Sequence, residues 1–521
     1  MTLSILFFFF SLTGIFLSEV FADYNRLELS YFLTFLSPLL IFLLTKIEKK
    51  KIYVPLQETI IYLIFLIFST VSTVSAIDKE VAIRSLLIYI SGYLFFIFSF
   101  NYQESLNKYF KRFLVAISVF SGLIFLANNI FHLNLFLYGV SLFHNYGHYQ
   151  IGNLLVLGLI PVFPNPLSIL FFIFILFSYS RTANISLIII LIFQFFKNKF
   201  DKKTFLIGGL IIFSSLIFIF LKSDYLHKTN KQLVSGRNIY FSYALSSIRE
   251  FPLFGTGPGN FIYSVFKRQV NLGEYTDQAD NIFLQVLSEN GILAGSFFIL
   301  FILLILYKHK NNTIFFMFLA LTLMFMSDLS YLFNFFLILW FILGGLTLDS
   351  KKKTEINIML PVTVVFIAVQ ILLFSQILLK QGLWRQSLLI YPFQKNAYKA
   401  AIEENIRNKN KKEAYYFLER YDQIFGKSLT IFQETYYYQF FGENDKVASL
   451  YENSLWFRTF TNIPRLKRIW SFYRSVYGNS KGNEKMAQIL RQIKKSYSEE
   501  DKSSDFYKEI NNFCLKTNIG C

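Results

Sequence analysis

The sequence predicts an all-α, polytopic helical membrane protein of about 12–13 spans, with a long external loop and a C-terminal α-helical, tetratricopeptide-like domain. Three observations predict it. Apolar runs close to the roughly 20 residues needed to cross a bilayer recur from Leu3 to about Leu379. Basic residues cluster between those runs in an alternating pattern. Beyond Lys380 the chain turns to mixed charge with helical periodicity. Composition agrees: of 521 residues, 54% are hydrophobic and 16% charged, against about a quarter charged in soluble chains.

Taken in order, the spans fall at 3–21, 29–45, 58–76, 85–100, 113–131, 151–163, 166–179, 183–196, 204–221, 291–307, 313–329, 333–348 and 357–379. The first has no basic leader and no small-residue cleavage site, so it reads as a retained span rather than a signal peptide. Lys46 and Lys49–Lys51 follow span two, and Lys108, Lys111 and Arg112 follow span four. Lys197, Lys199, Lys202 and Lys203 follow span eight. Lys308 and Lys310 follow span ten, and Lys351–Lys353 follow span twelve. Every cluster therefore follows an even-numbered span, and all are cytoplasmic together if the N-terminus is inside. That orientation makes 1–379 a multi-pass domain of the cytoplasmic (inner) membrane, with an external loop at 222–290, and leaves 380–521 outside. Many of the positive residues behind the net charge of +18 sit in short loops between spans, where orientation rules place them, so a nucleic-acid partner is not needed to explain it. Spans 151–163, 166–179 and 183–196 are short, and Pro161, Pro164 and Pro166 lie between the first two. At ~1.5 Å per residue the first covers about 20 Å of a core about 30 Å thick, which suits tilted, broken or re-entrant helices.

In the C-terminal region, "NKKEAYYFLERY" and "ENDKVASLYENS" align with Ala414 over Ala448, 34 residues apart, and "GNEKMAQILRQI" repeats the pattern less regularly at Ala487. That period belongs to tetratricopeptide-type helix hairpins, with a non-repeat helical bundle as the alternative. Such surfaces bind partners, here an envelope protein, or brace a neighbouring domain. Cys514 and Cys521 are the only cysteines; they pair if this end is exported to an oxidising compartment and otherwise stay free thiols.

The candidate chemistry lies in the interruption between spans nine and ten. "NIYFSYALSSIRE" (238–250) has amphipathic helical spacing, is stopped by Pro252, and suits the membrane interface. "GTGPG" then places Gly255, Gly257 and Gly259 in a loop-shaping turn that lets backbone approach closely. No Gly-Lys-Ser/Thr follows, so it is not a nucleotide P-loop. Arg237 follows Gly236 at the start of this segment, and Arg181 sits in "SYSRTAN" at the end of span seven. A single arginine at a span end can simply snorkel to the headgroups, whereas two on one face suit a diphosphate, whose oxygens take paired guanidinium donors. In "DQADNIFLQVLSENGILAG", Asn281, Gln285 and Glu289 recur at i, i+4, i+8 and line one helical face. Such a strip is expensive at a membrane unless it faces a polar site. Asp280 heads it, either as a general base or as the helix N-cap. Asp277 and Asp280 offer only a weak cation pair, His144 and His148 have no third metal ligand in view, and Asp328 is a further lining candidate.

These pieces together resemble the O-antigen ligase and polymerase family of bacterial envelope glycosyltransferases. The likeness rests on Gly236-Arg237, "FPLFGTGPGNF", "DNIFLQVLSENGILAG" and the upstream "SYSRTAN", with its specific part in 178–295. The resemblance implies transfer of an oligosaccharide from undecaprenyl diphosphate to a lipid or protein acceptor at the outer face of the membrane, without nucleotide, catalytic metal or other cofactor. Arg181 and Arg237 would then hold the diphosphate. The family's histidine before asparagine is Asp280 here, and a carboxylate is a weaker base than imidazole. Ligase, polymerase and protein oligosaccharyltransferase share these motifs. A lipid-linked saccharide transporter would instead show matching broken helices in two halves, and a non-catalytic scaffold would leave the glycine-arginine loop idle.

Overall fold

A computed structural model describes residues 2–20, 27–129, 136–137, 140–141, 148–197, 202–227, 235–265, 278–310, 313–350, 352–356, 359–425, 427–454, 463–495, 505–517 and 519. Its first fifteen helices are α1 (Leu3–Val20), α2 (Leu27–Ile47), α3 (Leu56–Ser75), α4 (Lys79–Asn101), α5 (Gln103–Asn129), α6 (His148–Val162), α7 (Leu167–Phe177), α8 (Arg181–Lys197), α9 (Lys202–His227), α10 (Ser235–Glu250), α11 (Phe261–Val265), α12 (Ile282–Tyr307), α13 (Thr313–Phe325), α14 (Asn334–Thr347) and α15 (Met359–Lys380). Among the described residues seven of them, α1 to α5, α12 and α15, are long and apolar enough to cross a membrane. Six shorter apolar stretches lie in α6, α7, α8, α9, α13 and α14. Large apolar side chains such as Phe10, Ile67, Val74, Phe196 and Phe213 stay exposed on these helices. Soluble monomers do not display apolar surface on that scale, and lipid is the solvent that fits it.

The centre of the bundle is aromatic. Helix α3 packs along α12, and α4 along α14. Between them Tyr62 stacks on Tyr93 with ring centroids 4.4 Å apart, Phe301 lies 4.7 Å from Tyr62, and Phe298 lies 5.1 Å from Phe65. Each polar tip is satisfied inside: Tyr62 donates to the Tyr89 carbonyl at 2.9 Å, Tyr93 to Thr59 at 2.7 Å and Trp340 to Thr322 at 2.8 Å. Glycine lets helices close up where rings meet backbone. A Cβ at Gly92 would strike the Phe341 ring, and one at Gly345 would strike Ser99 and the Phe96 carbonyl.

One end of the bundle is stitched by polar contacts between distant segments. Strand β1 (Tyr53–Pro55) runs antiparallel to Lys353–Glu355, and Gln103 donates to the carbonyls of Gly345 and Leu348 at 2.8 Å each. A second short ladder pairs Phe136–Leu137 with Val140–Ser141. Lys308, at the end of α12, meets the fully buried Glu58 of α3 at 2.9 Å. Breaking a buried pair on one side strands the other charge, at about 3–5 kcal/mol. Lys308→Met is therefore expected to lower the thermal unfolding midpoint in detergent markedly, and Glu58→Gln with Lys308→Met to recover most of it. Equal midpoints for the single and double variants would refute that account.

The C-terminal helices are α16 (Trp384–Ile390), α17 (Lys395–Arg407), α18 (Lys411–Phe425), α19 (Lys427–Phe440), α20 (Asn444–Ser454), α21 (Ile463–Tyr477), α22 (Asn479–Lys495) and α23 (Asp505–Thr517). They pack as successive neighbours around cores of their own, one built on Ile402, Leu418, Tyr421 and Phe425 and another on Leu466, Tyr473, Leu490 and Phe513. Ala414, Ala448 and Ala487 fall in α18, α20 and α22, all buried. Cys514 is disulfide-bonded, and the chain's only other cysteine is Cys521. Cys521 itself lies outside the described residues.

Candidate functional site

The site begins where α12 breaks. Gly291 takes φ 81° and ψ 171°, which a helix cannot accommodate, so the carbonyls before it and the amide after it lose their helical partners. The glycine turn supplies replacements. Thr256 donates to the Ser288 carbonyl at 3.2 Å, Gly257 to the Glu289 carbonyl at 2.7 Å, and Ile292 donates back to the Pro252 carbonyl at 2.8 Å. The Ser72 hydroxyl of α3 reaches the carbonyls of Phe254, at 2.5 Å, and Glu289, at 3.0 Å, sharing its single proton between them.

Glycine is required here by both conformation and space. Gly255, Gly257 and Gly259 have φ of 66°, 98° and 71°, the left-handed region that side chains disfavour. A Cβ on Gly255 would collide with the Glu289 carbonyl, one on Gly257 with Ala76, and one on Gly259 would lie 2.5 Å from the Ser85 hydroxyl. Thus the turn is clamped to α12 on one side and to the ends of α3 and α4 on the other. Helix α10, which stops at Glu250 ahead of Pro252, buries Tyr243 and Ala244 against Phe261 and Ala279.

The polar strip of α12 organises the same loop. Glu289 is 3% exposed, and its Oε1 accepts from the Phe261 amide at 3.3 Å and from Gln285 at 2.5 Å. Gln285 accepts in turn from the Ala279 amide at 2.7 Å and from the Tyr331 hydroxyl at 3.3 Å. Asn281, not Asp280, is the N-cap of α12; its Oδ1 accepts from the Phe283 and Leu284 amides at 2.9 and 3.0 Å. The capping alternative for Asp280 is therefore corrected. Asp280 stands one residue earlier with φ 51°, turned by its left-handed backbone out of the helix line.

Arg181 is tied to this end of the bundle through packed neighbours. It is the first residue of α8 and is partly exposed. Ser180 before it takes the Ala183 amide at 3.2 Å and packs so tightly on α6 that a Cβ at Gly152 would lie 2.7 Å from its own. The next residue, Asn153, donates to Ser330 at 2.8 Å and to Asp328 at 3.2 Å, and Asp328 caps the short 3-10 turn Leu329–Leu332. Asn281 then donates to the Met326 carbonyl at 2.9 Å. Arg181, Asp328 and Asp280 thus share one rim of the bundle. Arg237 belongs to the first turn of α10, and its side chain lies outside the described residues, as do Asp277, His144 and the His148 side chain. Among the described residues no three His, Cys, Asp or Glu side chains group as a metal site.

Residues the sequence reading passed over hold this arrangement together. Asn260 pairs reciprocally with Asp78, accepting its amide at 2.8 Å and donating to its carbonyl at 3.1 Å. Glu19, 1% exposed at the end of α1, accepts from Ser30 at 2.8 Å and from the Phe335 amide at 3.3 Å. A lone acid in an apolar run was a readable signal of such a role; the pairing of Asp78 with a residue in another loop was not.

Residues 166–299 match the family model described as O-antigen ligase. No curated protein and no solved structure matches the chain. The matched segment contains Arg181, Arg237, the glycine turn and the Asp280–Gly291 run; Asp78, Asp328 and all helices from α13 onward lie beyond it.

Proposed function

We propose that this chain is an O-antigen ligase-like glycosyltransferase, which moves an oligosaccharide from undecaprenyl diphosphate to an envelope acceptor at the outer face of the cytoplasmic membrane. The observation that carries the reading is the single knot formed by the matched segment. The glycine turn fills the break in α12, and Asp280 lies at the same end of the bundle as the start of α8, linked to it through Asn281, Met326, Asp328 and Asn153. If the seven long and six shorter apolar helices all count as spans and the N-terminus is cytoplasmic, that end lies outside and the basic clusters between spans lie at the opposite one. The C-terminal helices then form an external tetratricopeptide-like domain.

In this reading Arg181 and Arg237 hold the diphosphate, each offering paired donors that keep their charge. The acceptor hydroxyl attacks the anomeric carbon, the bond from that carbon to the phosphate oxygen breaks, and undecaprenyl diphosphate leaves with the electron pair. Asp280 takes the hydroxyl proton. Gln285 and Glu289 line the site and keep the loop in register. A diphosphate is a good leaving group, so orientation and charge stabilisation supply most of the acceleration.

The test uses purified protein, undecaprenyl-diphosphate oligosaccharide and three acceptor arms (lipid A-core, growing glycan and protein), with and without EDTA. Donor consumption dependent on one acceptor is expected, and it also identifies that acceptor. Asp280→Asn should slow transfer about 10²-fold or more, the usual share of general-base catalysis; a full rate would remove Asp280 from the role. Donor moved across vesicles without glycosidic cleavage would replace the reading with a transporter.

A further inference from the structure

The loop between α3 and α4 holds the glycine turn on one side and the C-terminal helices on the other. Asp78, at its centre, is 1% exposed. Its backbone amide and carbonyl are both engaged by Asn260, directly after the glycine turn. One carboxylate oxygen caps α4 at the Val81 amide, 3.3 Å away. The other accepts from the Tyr263 hydroxyl of α11 at 3.1 Å and from Lys395 at 2.9 Å. Lys395 opens α17, and its own amide donates to Glu80 at 3.2 Å, while Glu80 also holds Arg84 at 2.6 Å. A separate contact runs from Lys79 to the Ile424 carbonyl in α18, at 3.1 Å. The phenols of Tyr391 and Tyr421, on the C-terminal side, are pushed up by burial and by the negative Glu80 and Asp78 nearby. Two segments more than 100 residues apart therefore meet on one carboxylate.

We propose that Asp78 is a positioning residue that couples docking of α17 and α18 to the conformation of the glycine turn, so that the C-terminal helices brace the transfer site. The physical reason is the buried charge. Asp78 keeps its carboxylate in a dry place because Lys395, Tyr263 and the α4 amide satisfy it together. Removing the Lys395 ammonium leaves that oxygen under-partnered; the side chain then turns toward water and draws the Asn260 pair with it. The turn, whose glycines have little steric preference of their own, then keeps its bonds to α12 but loses the contact that holds its other side against the start of α4. The functional consequence rests on the transferase reading above; the coupling does not.

Hydrogen exchange on the full-length protein in lipid nanodiscs tests it. Lys395→Met is expected to speed exchange of the amides over 252–263 about tenfold, together with those of α17. Lys395→Arg should stay near wild type, because its guanidinium can still reach the carboxylate. Lys411→Met, which removes an exposed pair with Glu443 elsewhere in the C-terminal helices, should leave 252–263 unchanged. Lys79→Met loosens the same docking without touching the Asp78 carboxylate, and serves if Lys395→Met fails to fold; it should speed the turn about threefold. Faster exchange in α17 and α18 with an unaltered turn overturns the proposal, as does full protection of both. In transfer assays Lys395→Met should lower kcat about tenfold and Lys395→Arg restore it. A wild-type protein without transferase activity would sink the functional reading and leave the exchange result to stand or fall alone.

Discussion

Arg181→Ala is expected to cut oligosaccharide transfer about 10²-fold to 10³-fold while leaving the protein folded. Loss of one preorganised charged donor from a developing oxyanion costs on that order. Arg181 is the first residue of α8 and partly exposed. The local fold is carried by Ser180, which caps the Ala183 amide, and by Asn184, whose side chain returns to the Ser180 carbonyl at 2.8 Å. Neither contact uses the guanidinium. Arg181→Lys should recover only part of the rate, since an ammonium supplies a point charge without the paired donors that match phosphate oxygens. Arg237→Ala should behave alike, and the double variant should lose little beyond the worse single one if both grip the same group. The measurement is kcat/KM for the lipid-linked donor, with unfolding midpoints as the control. Losses that multiply fully would mean that the two arginines serve separate steps.

The parts of this molecule that were legible in its sequence are those in which one local rule acts over many residues. Lipid demands apolar length, and the predicted runs 3–21, 58–76 and 333–348 agree with α1, α3 and α14 to within a few residues. The turn was visible because few residues other than glycine tolerate φ near 66° to 98°. Capping was harder. Asp280 suits an N-cap by residue type, but Asn caps about equally well, and with Asp280 in a left-handed backbone the cap falls to Asn281. Hydrogen-bond partners distant in sequence left no trace at all. Asp78 looks like a balanced surface charge in "AIDKE", yet it binds Asn260 and Lys395, 182 and 317 residues away. No periodicity records a pair made once, across three loops.

Gly255→Ala should be the most damaging small substitution in the protein, and Gly291→Ala should equal it. The two positions face each other across the break in α12. A methyl group on Gly255 would occupy the Glu289 carbonyl and crowd the Gly291 amide at 2.6 Å, and one on Gly291 would occupy the Leu253 carbonyl. Backbone cannot step aside as a flexible side chain can, because the two segments are bonded together here, Gly257 to the Glu289 carbonyl and Ile292 to the Pro252 carbonyl. To that clash is added the cost of an L-residue at φ 66° or 81°, about 1–3 kcal/mol by itself. Together they exceed about 3 kcal/mol, enough to free the turn from α12 and to drain folded protein from the membrane. Gly209→Ala is the contrasting substitution. It lies inside α9 with nothing within 4 Å of the added Cβ, so it should raise stability slightly, by about 0.5–1 kcal/mol. Unfolding midpoints and membrane yields of the three variants, compared in one detergent, decide the matter. If Gly255→Ala matched Gly209→Ala, the turn would not be bonded into the broken helix, and Glu289 would have no loop to hold.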